Sequence, residues 1–283
     1  MPNYGELWAL FFNDINQLNK VFTPKVIEQS TSSDELFIDN AIDSPFYSYY
    51  FLTYGNGRIR VATIIGYDKD SNKAAILTMF PFQTSGKKYD VIITEVQPTE
   101  EHTEAFVQGT ISGNFSLIGF EPTYLVTSKK IKIGETLPFL FSAFGYTLFK
   151  SENYFMSLDN MELEDTLKRL KIEDSLLKRV METEPDGVQF DLSKLNAFVP
   201  MIQGSNDYYF LGRITSLSSF SFEHILFYNF EISINIDTLV LEIPLVIPFD
   251  RIEPEFKPAV GDSVIGSFWL QTLLDIKDDS KEQ

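Results

Sequence analysis

Cysteine is absent from this 283-residue sequence. Disulfide bonds, thiolate zinc sites, iron–sulfur ligation and a cysteine nucleophile are excluded together. Histidine is scarce, with only His102 and His224. A metal site using both would need two distant parts of the chain to converge. No run of about 18 apolar residues occurs, so no membrane-spanning helix is expected. The opening MPNYGELWALFFNDI has no basic segment before its apolar run and carries Glu6 and Asp14 around it, unlike a secretory signal. A cytoplasmic location is expected by elimination. Also missing are a Walker loop, a GxGxxG after a strand, a GxSxG elbow and an HExxH helix, so no cofactor, metal or catalytic residue is nominated.

Basic charge is in short supply: 23 Lys and Arg face 40 Asp and Glu, for a net charge of −17. The deficit is uneven, with 12 against 16 in residues 1–150 and 11 against 24 in residues 151–283. Affinity for nucleic acid rests on neutralising phosphates, so an acidic second half without a basic cluster makes a nucleic-acid partner unexpected. A protein partner, itself basic, suits this charge.

What the sequence has in quantity is aromatic residues, 14% in all, with 26 Phe and 13 Tyr. Such residues favour half-buried strands, and the length suits two cores. Leu7, Trp8, Phe11, Phe12, Ile15 and Leu18 are spaced as one face of a helix within Tyr4–Phe22, and Pro24 is expected to punctuate the chain after it. Arg58–Tyr67 and Ala74–Phe82 read as a hairpin closed by DKDSNK. That connection starts like a calcium loop, but Lys73 stands where the loop glycine belongs and Met79 where the bidentate Glu belongs. Further strands are predicted at Lys88–Val96, Ala105–Ser112 and Ile131–Phe149. Asp159–Glu182 is predicted as a helix connecting two strand-rich blocks. Beyond it, Phe230, Ile232, Ile234 and Ile236 alternate with polar residues, the period of a strand with one dry face. Leu239–Ile247 is apolar on both faces, and Pro244 restricts it to an edge or a bulge.

Three short anchors recur in order. Gly109-Thr110-Ile111 is set against Gly212-Arg213-Ile214, Glu121-Pro122-Thr123-Tyr124 against Glu253-Pro254-Glu255-Phe256, and Gly134-Glu135-Thr136-Leu137 against Gly261-Asp262-Ser263-Val264. This reads as an internal duplication with an inserted strand pair. The third anchor is a glycine turn feeding a strand. Residues 88–149 and 207–274 thereby resemble five-stranded OB-type barrels, and a β-sandwich fits nearly as well. The expected fold is mainly β (α+β): two small OB-like barrels or β-sandwich domains, duplicated, with an N-terminal helix and a central connecting helix. The division is 1–150, 151–195 and 196–283, and Trp269 is expected to plug the bottom of its barrel.

Function is sought on the surface. Tyr47, Tyr49, Tyr50, Asp207, Tyr208, Tyr209, Glu223 and Glu231 form the candidate interaction surface, because tyrosines flanked by carboxylates suit an interface with a basic protein. The leading expectation is a non-enzymatic acidic binding protein whose partner is a basic enzyme or toxin that it inhibits or neutralises. Two alternatives stay open: a small-ligand site or carboxylate-dependent hydrolase using residues such as Glu223 or Glu231, and OB-type oligonucleotide binding, which the charge disfavours.

Overall fold

The structure, a computed structural model, describes residues 4–12, 15–32, 36–37, 48–68, 71, 73–112, 115–151, 155–158, 188–191, 198–236 and 239–275. The predicted helix Asp159–Glu182 and Tyr47 lie outside the described residues. The N-terminal apolar face is carried by short helical pieces in place of one helix: α1 (Tyr4–Trp8), α2 (Ile15–Gln17), a wider π-type turn over Leu18–Phe22, and α3 (Thr23–Gln29). Pro24 does not end this region. It sits in the first turn of α3, where its missing N–H has no intrahelical partner to lose. Leu7, Trp8, Phe11, Leu18, Phe22 and Val26 are all buried.

These pieces pack on a small antiparallel sheet. Its short strands β1 (Thr31–Ser32) and β2 (Leu36–Phe37) pair with β3 (Ser48–Tyr54), followed by β4 (Ile59–Asp68) and β5 (Lys73–Gln83). The predicted hairpin is present. Asp68 pairs with Lys73 at its end, and the Asp68 carboxylate accepts the Ser71 hydroxyl at 2.6 Å inside the turn.

The remaining strands form a nine-stranded network. In chain order these are β6 (Lys87–Pro98), β7 (Ala105–Ile111), β8 (Phe115–Glu121), the one-turn helix α4 (Tyr124–Thr127) and β9 (Thr136–Lys150). After the separate pair β10 (Phe155–Leu158) and β11 (Val188–Asp191) come β12 (Phe198–Pro200), β13 (Asp207–Phe222), β14 (Ile225–Ile236), β15 (Leu239–Pro248) and β16 (Ser263–Leu274). The predicted strand at Ile131 begins at Thr136, because Gly134 first turns the chain with φ 87°.

Pairing runs round two barrel-like rings that share a wall. One ring runs β6–β7–β8–β16–β9 and back to β6; the other runs β13–β14–β15–β9–β16 and back to β13. In each, the third and fifth strands are parallel, with a short helical turn between the third and fourth, which is the order of an OB-type barrel. Neither ring closes fully. The parallel junctions are held by Gln271 opposite Phe120 alone, and by Leu245 and Val246 opposite Ala143 and Phe144. Strands from both sides of the predicted boundaries at 150 and 196 therefore lie in one sheet, with β9 and β16 walling both rings.

The two rings match in local detail. The first strand of each has a bulge at a threonine, Thr94 and Thr215, whose hydroxyl donates to the second strand at Gln108 O (3.2 Å) and Glu231 O (3.0 Å). Gly134 and Gly261, at φ 87° and 97°, each donate N–H at 2.8 Å to Ile93 O and Ile214 O, the residue just before that threonine. The third anchor pair thus occupies equivalent places. The first does not: Gly109 lies on a second strand and Gly212 on a first. Nor does the second, since Glu121 precedes the helical turn of its ring and Glu253 follows its own.

Tyrosine hydroxyls fill the gaps the rings leave. Tyr89 on β6 accepts Glu242 N–H at 2.7 Å and donates to Glu242 O at 3.1 Å on β15. Tyr208 on β13 does the same for Ile118 on β8, at 2.7 and 3.0 Å. Backbone groups that lack a neighbouring strand are paired by a side chain instead.

Alternation along the shared strands divides the core. Phe139, Phe141, Ala143, Phe268 and Leu270 face the ring interiors, while Phe144 and Trp269 face a second core shared with the N-terminal helices and small sheet. Trp269 therefore does not plug a barrel. Its ring lies 4.6 Å from Phe120 and 6.3 Å from Phe144 in the layer between the two sheets. In that layer the buried side-chain amide of Gln271 clasps the Gln83 backbone, accepting Gln83 N–H at Oε1 (2.9 Å) and donating from Nε2 to Gln83 O (2.7 Å), while the Gln83 amide donates to Ala143 O on β9 at 2.7 Å.

Candidate functional site

The polar groups with the clearest geometry gather where the tips of two hairpins meet. The β13–β14 hairpin turns on two residues, Glu223 and His224, between the paired Phe222 and Ile225. Both turn residues have positive φ, 49° and 67°. A two-residue turn of this kind matches the strand twist, but it is the territory of Asn-Gly, and a side chain held there costs about 1 kcal/mol. The strained turn aims Glu223 at the N-terminal layer. Its carboxylate accepts Lys25 Nζ of α3 at 2.6 Å and the Tyr54 hydroxyl of β3. One carboxylate thus ties the helices, the small sheet and the second ring together.

The protonation states follow from these contacts. Burial pushes the Glu223 carboxyl up, but the hydrogen bonds from Lys25 and Tyr54, with the charges of Lys25 and His224, hold it below the usual carboxylate range. The bond to Glu223 raises Lys25, and burial followed by the bond to Glu223 raises Tyr54. The cluster is an ionised pair with a neutral phenol. The Lys25 ammonium also stands 5.5 Å from the Tyr54 ring centroid.

Beside this cluster lies a cavity of about 190 Å³, whose lining includes Tyr54, Asn56, Arg58, Phe220, Phe222 and Glu223. The Tyr54-Gly55-Asn56-Gly57-Arg58 turn forms one wall; Gly55, at φ 93°, lets it approach the Phe222 ring. Arg58 donates Nε–H to Gln83 Oε1 at 3.3 Å. Burial lowers its pKa, with the Glu231 charge opposing.

The residues nominated from sequence do not form one surface. Tyr49 is buried in the core beneath the small sheet, and Tyr50 beside it is half-buried. Tyr208 is buried in the ring core, its hydroxyl committed to Ile118, and burial raises its pKa. Asp207 is partly buried, accepting the Tyr146 hydroxyl at 2.8 Å and the Ser205 hydroxyl at 2.6 Å. Tyr209 is exposed. Glu231 lies 3.9 Å from Lys87, which is paired more closely to Glu242. Only Glu223 belongs to the cavity. Lys25, Tyr54 and Arg58 were missed, and no local motif marks them.

Among the described residues no group of three or more His, Asp or Glu side chains gathers as a metal site. None of the described helices is long and apolar enough to cross a membrane. No protein-family model matches this chain, and no curated protein or solved structure matches it either.

Proposed function

We propose that this chain is a non-enzymatic, cytoplasmic binding protein that presents an acidic surface of its second ring to a basic protein partner, an enzyme or toxin that it restrains. The supporting observation is charge: residues 198–274 hold three Lys and Arg (Arg213, Arg251, Lys257) against nine Asp and Glu. The connection from β15 to β16 carries exposed Asp250 and Glu255 together with exposed Phe249 and Val260. Carboxylates steer a basic partner and apolar side chains give the contact its buried area. The test is capture from native lysate at low salt, compared with a variant carrying Asp250→Lys and Glu255→Lys. A basic protein retained by the wild type, lost at high salt and lost by the variant is expected. Absence of any salt-sensitive partner defeats the reading.

The matched threonine bulges and glycine turns also support descent of the two rings from one duplicated unit, each lending its fourth strand to the other as a fifth. In a crystal structure, superposing β6–β9 on β13–β16 is then expected to place Thr94 on Thr215 and Gly134 on Gly261 together. A superposition that cannot hold both pairs removes the idea.

A further inference from the structure

We propose that the cavity between the β3–β4 and β13–β14 turns is a binding site for a small carboxylate with an apolar body, anchored by the Arg58 guanidinium. The inference stands on unequal satisfaction of the two charges lining the cavity. Glu223 has both carboxylate oxygens engaged, one by Lys25 and one by Tyr54. Its charge is matched, so the cavity makes no demand for a cation. Arg58 is the reverse: its hydrogen bond is a long one from Nε to a neutral amide, and among the described residues it has no ion pair. Glu231 acts on it only through space.

A guanidinium carries five donors in a planar fork that fits a carboxylate edge-on, and one donor is used here among the described residues. Removing such a cation from water without a counter-charge is unfavourable, so a partly buried Arg in a cavity's lining favours an anion. Burial acts on Arg58 in the expected sense, lowering its pKa. The rest of the lining sets the class of ligand. Phe220 and Phe222 offer apolar surface, while Asn56 and Ser221 offer short polar contacts at the turns. At about 190 Å³ the cavity is smaller than drug-sized sites, which begin near ~300 Å³. It accommodates a fragment such as an aryl or short alkyl acid and is too small for a nucleotide or a large cofactor.

The strained turn fits this role. Positive φ at Glu223 and His224 is an observed local cost, and it positions the Phe222 end of the hairpin as a cavity wall. The carboxylate can belong to a free small acid or to the C-terminal residue of a peptide, which present the same group to Arg58. The proposal is independent of the acidic surface of the second ring.

Phenylacetate is the first probe, titrated into the full-length protein and followed by amide chemical shifts. Binding near ~1 mM is expected for a ligand of this size. Its uncharged counterpart phenylacetamide is expected to bind at least about tenfold more weakly, as is phenylacetate to Arg58→Gln. The amide comparison uses the wild-type chain, so the outcome does not depend on a variant folding. An N-acetylated dipeptide ending in Phe, beside the same peptide amidated at its C-terminus, separates the two sources. Tighter binding of the free-acid peptide assigns the site to a chain terminus, and tighter binding of phenylacetate assigns it to a small acid. Equal binding of phenylacetate and phenylacetamide, unchanged binding in Arg58→Gln, or shifts confined to residues outside the two turns would overturn the proposal.

Discussion

Glu121 provides a stability test of unusual sign. It ends β8, fully buried. One oxygen accepts the Thr123 N–H at 2.9 Å and the Thr123 hydroxyl, and the other accepts Leu274 N–H at 2.7 Å. These bonds favour the anion, yet desolvation outweighs them and pushes the carboxyl up to about 7 from its ordinary 4.5. A carboxyl whose pKa is raised on folding binds its proton more tightly in the native state. Its contribution is complete below the unfolded value, and it declines as pH rises from about 4.5 through about 7. At about 1.4 kcal/mol per pH unit, the whole loss is roughly 3 kcal/mol. The perturbation is Glu121→Gln, which keeps the shape, removes the titration and places an NH₂ toward a former donor at a cost that does not vary with pH. The assay is urea unfolding of both proteins between about pH 5 and about pH 8. The gap between wild type and variant should shrink by roughly 2–3 kcal/mol over that range. A gap that stays constant, or widens as pH rises, refutes the assignment of a buried proton to Glu121.

The paired tyrosine seals make a matched prediction. Tyr208→Phe leaves Ile118 N–H and C=O without their partner and should cost about 1–3 kcal/mol, and Tyr89→Phe should do the same at Glu242, both read by chemical denaturation. A loss at one site and none at the other would contradict their equivalence. His224→Gly relieves the positive φ without touching the Glu223 bonds, so it should raise stability by up to about 1 kcal/mol. Thermal unfolding checks this, and a lowered midpoint would show that the His224 side chain makes a contact worth more than the strain.

Strands with local signatures were legible in the sequence. The β4–β5 hairpin declares itself through β-branched residues either side of DKDSNK. The dry face of β14 appears at Phe230, Ile232 and Ile234, all buried. The double-sided apolar run Leu239–Ile247 has its cause in β15: Leu241, Ile243, Leu245 and Ile247 enter the ring core, while Val246 enters the layer beneath the small sheet. The edge or bulge expected from Pro244 is not found, since β15 lies between β14 and β9 and pairs with β14 without a register shift; Pro244 is tolerated because it lies just before the two residues that bridge to β9, on a stretch paired to β14 alone.

What depends on distant pairing was not legible. β9 and β16 are each apolar enough to serve as the closing strand of a separate barrel, and no residue pattern announces that they pair with each other along eleven positions. The same applies to the candidate site. Lys25 and Glu223 are 198 residues apart, and Arg58 looks like an ordinary strand-start arginine until the second hairpin is set beside it. Tyr208, nominated for a wet surface, lies inside, because a buried ring with one hydroxyl can both fill volume and satisfy a stranded peptide group.

The common wall of the rings also constrains how this gene can be edited. A fragment ending at Lys150 keeps β9 but strips away β16, and a fragment starting at Phe198 keeps β16 without β9. Either piece shows a long apolar strand with unmet N–H and C=O groups, a template for any other chain that presents an edge. Halves made separately should therefore precipitate, or recombine into a two-chain molecule when made together. Surface loops on either ring are free to diverge independently, but the two central strands must change in concert.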